Sequence, residues 1–312
     1  MIVPLAGGVG GAKLALGLAR VLSPEDYAII VNTADDFVHL GLAISPDLDT
    51  VTYTLAGIAN PATGWGIAGD TFGFLEALGR LGGETWFRLG DRDLATHVER
   101  TRRLAAGEPL STIAADFARR LDVGPAVIPM SDQPVRTIVE TDEGGLDFQD
   151  YLVRRRAQPV VRGFRYAGIE RARPAPAFDR LLDAPGVTAF VICPSNPFVS
   201  IDPILGIADV RARIRRHPAP VIAVSPLVGG AAVKGPLAAM MRSLGRPADA
   251  TGIALHYGSL IDGIVVDHAD DALAHAIEGP AVRVAPTVMR SLDDRIALAR
   301  TVLTFAAALA GS

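Results

Sequence analysis

The chain is expected to fold as an α/β protein, with a parallel sheet flanked by helices and a smaller inserted α+β lobe. Three observations point there. Short, strongly apolar runs recur at Ile2–Ala6, Tyr27–Val31, Val187–Ile192, Pro220–Val224 and Gly263–Val266, the texture of strands buried on both faces. Segments of helical length and periodicity alternate with them, as βαβ units require. The runs also end in polar or Gly/Pro-shaped loops, at the edge where open parallel sheets take their ligands. A Rossmann-like sheet in a single domain over 1–312 is therefore the expected architecture.

Ile2–Ala6 feeds a glycine loop, Gly7-Gly8-Val9-Gly10-Gly11. A helix carrying Leu14, Leu16, Leu18, Val21 and Leu22 follows, and Ser23-Pro24 ends it. Strand, glycine turn and helix form a phosphate cradle, because backbone free of side chains lets N–H groups approach an anion at a helix N-terminus. Gly8, Gly10 and Gly11 are the candidates for that contact, with Lys13 adding charge. The known fingerprints are met imperfectly. Lys13 stands where a dinucleotide fold has its third glycine, and Leu14 where a P-loop has its Ser/Thr. Pro4 removes a ladder donor from the first strand. A plain tight turn remains the alternative reading.

Tyr27–Val31 completes a βαβ opening, with the right-handed crossover such units adopt. It delivers Asn32–Thr50, which holds four aspartates: Asp35, Asp36, Asp47 and Asp49. Carboxylates at the carboxyl end of a buried strand suit Mg²⁺, which takes one or two of them plus substrate phosphates. The competing reading makes them turn residues. Leu48–Ala56 reads as helix, Gly57–Thr71 as turns and Phe72–Leu81 as helix. Asp91-Arg92-Asp93 is either a self-satisfied ionic turn, or Arg88, Arg92 and His97 share a cleft with Asp49. Residues 98–120 read as two helices broken at Pro109–Thr112. Ala126–Met130, Val135–Thr141 and Phe148–Arg155 read as short β-runs, with a hairpin turn at Asp142–Gly145. The inserted lobe is placed at about 98–175. Ser195 and Asn196, then Ser225 and Gly229, offer polar groups at the ends of later strands, and Ser291–Ala310 is a closing helix.

Composition bounds the function. Hydrophobic residues are 49% of the chain and charged residues 21%, so a packed core is expected over 312 residues. A net charge of −4 lacks the basic footprint of a general nucleic-acid binder. Arg154–Arg156 and Arg211–Arg216 read as solvated helix faces. One cysteine, Cys193, leaves no internal disulfide and no Cys-based zinc site. There is no signal-peptide pattern and no apolar run near the roughly 18 residues of a membrane span. The expected location is cytoplasmic, with no membrane partner.

GGVGGAK (7–13), NTADD (32–36), SPDLDT (45–50), LGDRDLATH (89–97), CPSNPFVSIDP (193–203) and SPLVGGAAVKGP (225–236) resemble, in order and over nearly the whole chain, the 2-phospho-L-lactate transferase family. That resemblance implies a transferase of coenzyme F420 biosynthesis. It would join a phosphorylated three-carbon acid (phosphoenolpyruvate, 2-phospho-L-lactate or 3-phosphoglycerate) to the deazaflavin Fo, 7,8-didemethyl-8-hydroxy-5-deazariboflavin. The donor implied is the guanylylated phospho-acid and the leaving group is GMP. A transient contact with the guanylyltransferase that makes the donor is also implied. Asp35 and Asp49 are expected to hold Mg²⁺ and to handle the attacking hydroxyl. Asp49, Arg88, Thr96 and His97 are expected on the Fo side. Gly8, Gly10, Gly11, Lys13, Ser195, Asn196, Ser225 and Gly229 are expected on the nucleotide side. Phosphoryl transfer needs positioning and charge neutralisation rather than a covalent nucleophile, so the missing Ser–His or Cys–His arrangement is consistent. A homodimer is expected, as the commonest symmetric assembly.

Two other readings compete. A nucleotide-sugar-binding regulator is similar in GGVGGAK and SPxxGGxxxKGP but lacks SPDLDT with LGDRD, and would have no reason to bind Fo. A nicotinamide-dependent oxidoreductase would want an acidic residue ending the second strand, which Asp35 partly supplies. It would also want a third loop glycine, which Lys13 denies it.

Overall fold

The computed structural model describes residues 1–311. Its strands, in chain order, begin with β1 (Ile2–Ala6), β2 (Ala28–Val31), β3 (Phe37–His39), β4 (Leu42–Ile44) and β5 (Ala126–Pro129). Next come β6 (Arg136–Thr141), β7 (Gly144–Asp147), β8 (Val161–Ala167), β9 (Ala189–Ile192) and β10 (Val221–Val224). The last four are β11 (Leu227–Val228), β12 (Ala231–Ala232), β13 (Gly263–Val266) and β14 (Ala281–Val284). Seven of them form one sheet in the order β14-β13-β10-β9-β1-β2-β5, and every pairing in it is parallel. The expected α/β architecture is observed.

Each face of the sheet carries its own core. Val3 and Leu5 of β1 pack with Ile30, Phe190 and Ile192 on one side. Ile2 and Ala6 pack with Ile29, Val31 and Val191 on the other. This is the two-sided burial that apolar runs without polar alternation demand. The helix α1 (Gly8–Ala19) lies over the second face with the closing helix Leu292–Ala310, and Leu14 and Leu18 meet Leu298, Val302 and Phe305 there. Ser291 caps that closing helix, accepting from the Asp294 N–H, while the Asp294 carboxylate accepts the Ser291 N–H, a reciprocal cap that satisfies two orphan donors.

Strand order reverses at β1. The chain leaves it towards β2 and β5, and later fills the other side with β9, β10, β13 and β14. The carboxyl edge at this switch point is where open parallel sheets form their ligand crevice.

Several elements differ from expectation. The glycine stretch is the first turn of α1 rather than a loop before it, since the helix starts at Gly8. The awkward Pro4 is accommodated by a gap. The β1–β2 ladder covers Leu5↔Ile30 and Ala6↔Val31, with an isolated bridge Ile2↔Tyr27, and the interruption falls at Val3–Pro4 where proline has no N–H to donate. The stretch 98–175 is not a lobe throughout, because β5 within it is the edge strand of the main sheet, paired with β2. Only β7-β6-β8 form a separate antiparallel sheet, and its Val139 and Val161 share a core with Val3 and Leu5. Residues 150–154, expected as strand, form a wide helical turn, and the chain returns to the small sheet through β8. The hairpins β3–β4 and β11–β12, the edge strand β14 and the helix Ala250–Tyr257 were not anticipated. Among the described residues no helix is long and apolar enough to cross a membrane.

Candidate functional site

The loops after β1, β2 and β9 enclose a cavity of about 690 Å³. Its floor is the start of α1. Gly10 is there because nothing larger fits: a Cβ would stand 2.1 Å from the Pro194 carbonyl oxygen, so α1 and the β9 loop touch backbone to backbone across the crevice. Ser195 fastens the same contact, donating to the Gly7 carbonyl at 2.8 Å and accepting the Gly7 N–H at 3.2 Å.

The helix α2 (Pro46–Leu55) starts beside α1 and brings Asp47 to it. Asp47 Oδ1 accepts the Gly8 N–H at 2.6 Å, and its Oδ2 accepts from the Asn32 amide at 3.0 Å. A carboxylate at a helix N-terminus satisfies an orphan donor and complements the dipole. The same Asn32 amide lies 3.2 Å from Asp35 Oδ1, and Gln149 donates to Asp35 Oδ2 at 3.1 Å. Two buried carboxylates thus share one amide, and both resist ionisation. Burial pushes Asp47 up to about 6 against the pull of Asn32 and Gly8. Asp35 is held well above the usual carboxylate range by burial first and then by the charges of Asp47 and Asp36. Asp36 is raised by burial too, although Ser45 donates to it at 2.7 Å.

Asp49, one helical turn away from Ser45, sits in different company. The helix α3 (Gly73–Arg80) precedes α4 (Asp93–Ala105); Asp93 and His97 of α4 line this end of the cavity, and Arg100 of α4 donates to Asp49 Oδ1. The same guanidinium donates to the Ala43 carbonyl at 3.2 Å and stands 3.3 Å from His97 Nδ1. An arginine N–H facing Nδ1 makes that nitrogen the acceptor, so the imidazole proton belongs on Nε2, 3.3 Å from Asp93 Oδ1. Tyr53 donates to Asp93 at 2.7 Å. Burial raises Asp49 and Arg100 counters it. The second oxygen of Asp49, Oδ2, is buried and without a hydrogen-bond partner.

The structure gathers most of the residues expected from the sequence. Asp35, Asp49, Arg88 and His97 line the cavity, as do Gly8, Gly10, Lys13, Ser195, Asn196 and Ser225. Three do not. Gly11 packs against Ala6 and Ser195 behind the first turn. Thr96 lies behind Tyr53, 2.7 Å from its hydroxyl. Gly229 gives its N–H to the Asp270 carboxylate at 3.0 Å, away from the opening. Arg92 turns aside to the Ala68 carbonyl. The triplet 91–93 divides its labour: Asp91 accepts from Gly73 and Phe74 at the start of α3, and Asp93 joins the His97 network. Asn32, Gln149 and Arg100 are not among the residues expected at the site, and Asp47 is expected only as a member of the acidic cluster, without a role of its own. For Asp47 a signal existed, since it stands in the SPDLDT run. For Arg100 the only hint was its spacing of one helical turn from His97.

Among the described residues no group of three or more His, Cys, Asp or Glu forms a metal cage. The donors present still fit a hard divalent cation, because Mg²⁺ is bound by one or two carboxylates completed by substrate phosphates. Asp35 and Asp49 supply hard oxygens at the cavity wall, and the partnerless Asp49 Oδ2 is one of them. Trp86 and Phe87 also line the cavity. Phe37 meets Phe87 edge-on at 4.9 Å, and His39 meets Trp86 at 5.1 Å.

Comparison with known proteins identifies the family and the fold. The family model described as 2-phospho-L-lactate transferase CofD matches residues 2–296. A phosphoenolpyruvate transferase of Streptomyces griseus is 40% identical, with 98% of each chain covered. A 2-phospho-L-lactate transferase of Methanopyrus kandleri is 43% identical, again over 98% of each chain. A solved structure of a UPF0052 family member from Bacillus halodurans superposes with a TM-score of 0.59 at 15% identity, covering 97% of this chain and 98% of that one, a likeness of fold. With a matching family model over 2–296 and full-length relatives above 30% identity, this chain belongs to the 2-phospho-L-lactate transferase CofD family of transferases.

Proposed function

We propose that the protein transfers a phosphorylated three-carbon acid from its guanylyl-diphosphate donor to the terminal ribityl hydroxyl of Fo, releasing GMP, as a step of coenzyme F420 biosynthesis. The observation that carries this reading is that one cavity gathers buried carboxylates (Asp35, Asp47 and Asp49), aromatic rings (Trp86 and Phe87), and the first turn of α1 with Lys13. A flat deazaflavin suits the aromatic wall, and phosphates suit the first turn of α1.

In this mechanism the acceptor hydroxyl attacks the phosphorus of the acid's phosphate, its proton passes to a carboxylate, and the bond to the GMP oxygen breaks. Asp35 is the proton acceptor, because burial and the neighbouring Asp47 and Asp36 charges raise its affinity for a proton. Asp49, already balanced by Arg100, orients the acceptor through its free Oδ2, and His97 and Arg88 border it. Mg²⁺, held by Asp35 and Asp49, would neutralise charge on the diphosphate oxygens. Ser195, Asn196 and Ser225 lie on the guanosine side.

The test is a single-turnover assay with Fo, Mg²⁺ and each of the three guanylylated acids, read by mass spectrometry. The expected product has the mass of Fo plus one phospho-acid, appears with one donor in preference to the others, and is lost in EDTA. A protein that yields no product and binds a nucleotide sugar but not Fo would be a regulator instead.

A further inference from the structure

The chain contains thirty basic residues, and only two of them, Lys13 and Lys234, are lysines. Both line the same cavity. Several of the arginines serve as ion-pair partners, as at Arg100, Arg103 and Arg213. Neither lysine has a carboxylate partner among the described residues. Lys13 donates to the Met289 carbonyl at 2.9 Å, and Lys234 donates to the Thr63 carbonyl. Arginine is a planar fork suited to fixed bidentate partners, whereas lysine is a compact point charge on a flexible stem. A chain whose other basic residues are all arginine places its two movable ammonium groups at one opening, neither within ion-pair distance of a carboxylate among the described residues.

Their positions converge on the first turn of α1. Gly64, at φ +77°, admits no side chain, since a Cβ would lie 2.8 Å from Val9 Cγ1 and 3.2 Å from Lys234 Nζ. Lys234 Nζ and Val9 therefore meet beneath the 60–66 loop. Burial depresses Lys13, with Arg295 and Lys234 adding repulsion, and burial depresses Lys234 as well. Two partly desolvated ammonium groups that repel each other and donate only to backbone carbonyls, with Asp294 the one carboxylate acting on Lys13, are free to meet an anion.

Resting on the transferase reading, we infer that Lys234 is a movable clamp for the donor's diphosphate, acting with Lys13. Without donor it latches the 60–66 loop through the Thr63 carbonyl, and with donor it leaves that carbonyl for a phosphate oxygen. Lys13 holds the other side, one helical turn along α1. Releasing Thr63 changes the surroundings of Trp65, whose N–H and carbonyl both contact the Thr63 hydroxyl and which also lines the cavity.

The experiment uses inorganic pyrophosphate and GDP as probes, titrated calorimetrically into the full chain and into Lys234→Ala and Lys234→Arg. Trp65 emission is followed in a Trp86→Phe background. Both probes are expected to bind the unaltered protein and to shift Trp65 emission. Lys234→Ala is expected to weaken both by roughly 10- to 100-fold, the range for one hydrogen bond to a charged group, and to show the shifted emission before any probe is added. Lys234→Arg is expected to recover part of the affinity, and the melting temperatures are expected to match. Probe binding that survives Lys234→Ala within twofold overturns the clamp, while transfer measured separately leaves the transferase reading intact. Pyrophosphate bound and lost as described, with GDP no tighter, supports the clamp and counts against the guanylyl donor. Absence of saturable binding of either probe to the unaltered protein overturns the clamp.

Discussion

Arg100 and Asp49 form a buried ion pair, with the guanidinium on Asp49 Oδ1 and side chains 2% and 11% exposed. Their partnership decides what Asp49 is: a balanced, oriented carboxylate with one free oxygen rather than an isolated charge. Removing one member of such a pair strands the other. Arg100→Met is expected to cost about 3–5 kcal/mol in urea unfolding, and the double variant Arg100→Met/Asp49→Asn is expected to recover part of that loss. Arg100→Lys should fall between, because one ammonium cannot serve Asp49, His97 and Ala43 together.

Asp47 carries a pH signature of stability. Its folded value, about 6, lies above the ordinary unfolded value, so the folded state binds the proton more tightly. Its contribution is fully present below about pH 4 and is lost as pH rises through about 6. The stability of the wild type relative to Asp47→Asn is therefore expected to fall between pH 4 and pH 8, by about 3 kcal/mol at most. Denaturant titrations of both proteins across that range measure it. A gap that widens with pH would reverse the assignment.

Asp35→Asn is expected to lower the single-turnover rate by roughly 10²–10⁴-fold, the scale of a lost proton acceptor, while the dissociation constant for GDP, measured without added Mg²⁺, changes much less. Quenched-flow transfer and calorimetry on the same preparation separate the two effects. Equal losses in both would make Asp35 a binding group only.

Gly10→Ala tests the floor of the crevice without reference to chemistry. Its new Cβ would meet the Pro194 carbonyl at 2.1 Å, and backbone on both sides leaves little to yield. Overpacking of this kind costs about 1–3 kcal/mol or more, and a lowered melting temperature should report it. Gly41→Ala, where nothing lies within 4 Å, is the control for inserting a methyl into open space, with strain from its φ of +77° as its only cost.

The sequence by itself determined the sheet class, since continuous apolar runs such as Ile29–Val31 and Phe190–Ile192 have no polar face to offer water. It also located the crevice loops, because glycines at 7–11 and prolines at 194 and 197 constrain backbone wherever they are placed. The motif order identified the family. Local rules failed where pairing is non-local. Residues 148–155 have β-forming composition yet coil into a wide turn, because Tyr151 must be buried and Gln149 must reach Asp35 across 114 positions.

Only the tertiary structure decided which aspartate does what. Four aspartates within fifteen residues are indistinguishable as sequence. In the fold, Asp47 holds the start of α1, Asp35 shares an amide with it, Asp36 takes a serine and Asp49 takes an arginine 51 positions away. Charge and proton affinity depend on burial and on partners brought together through space. Sequence spacing encodes neither.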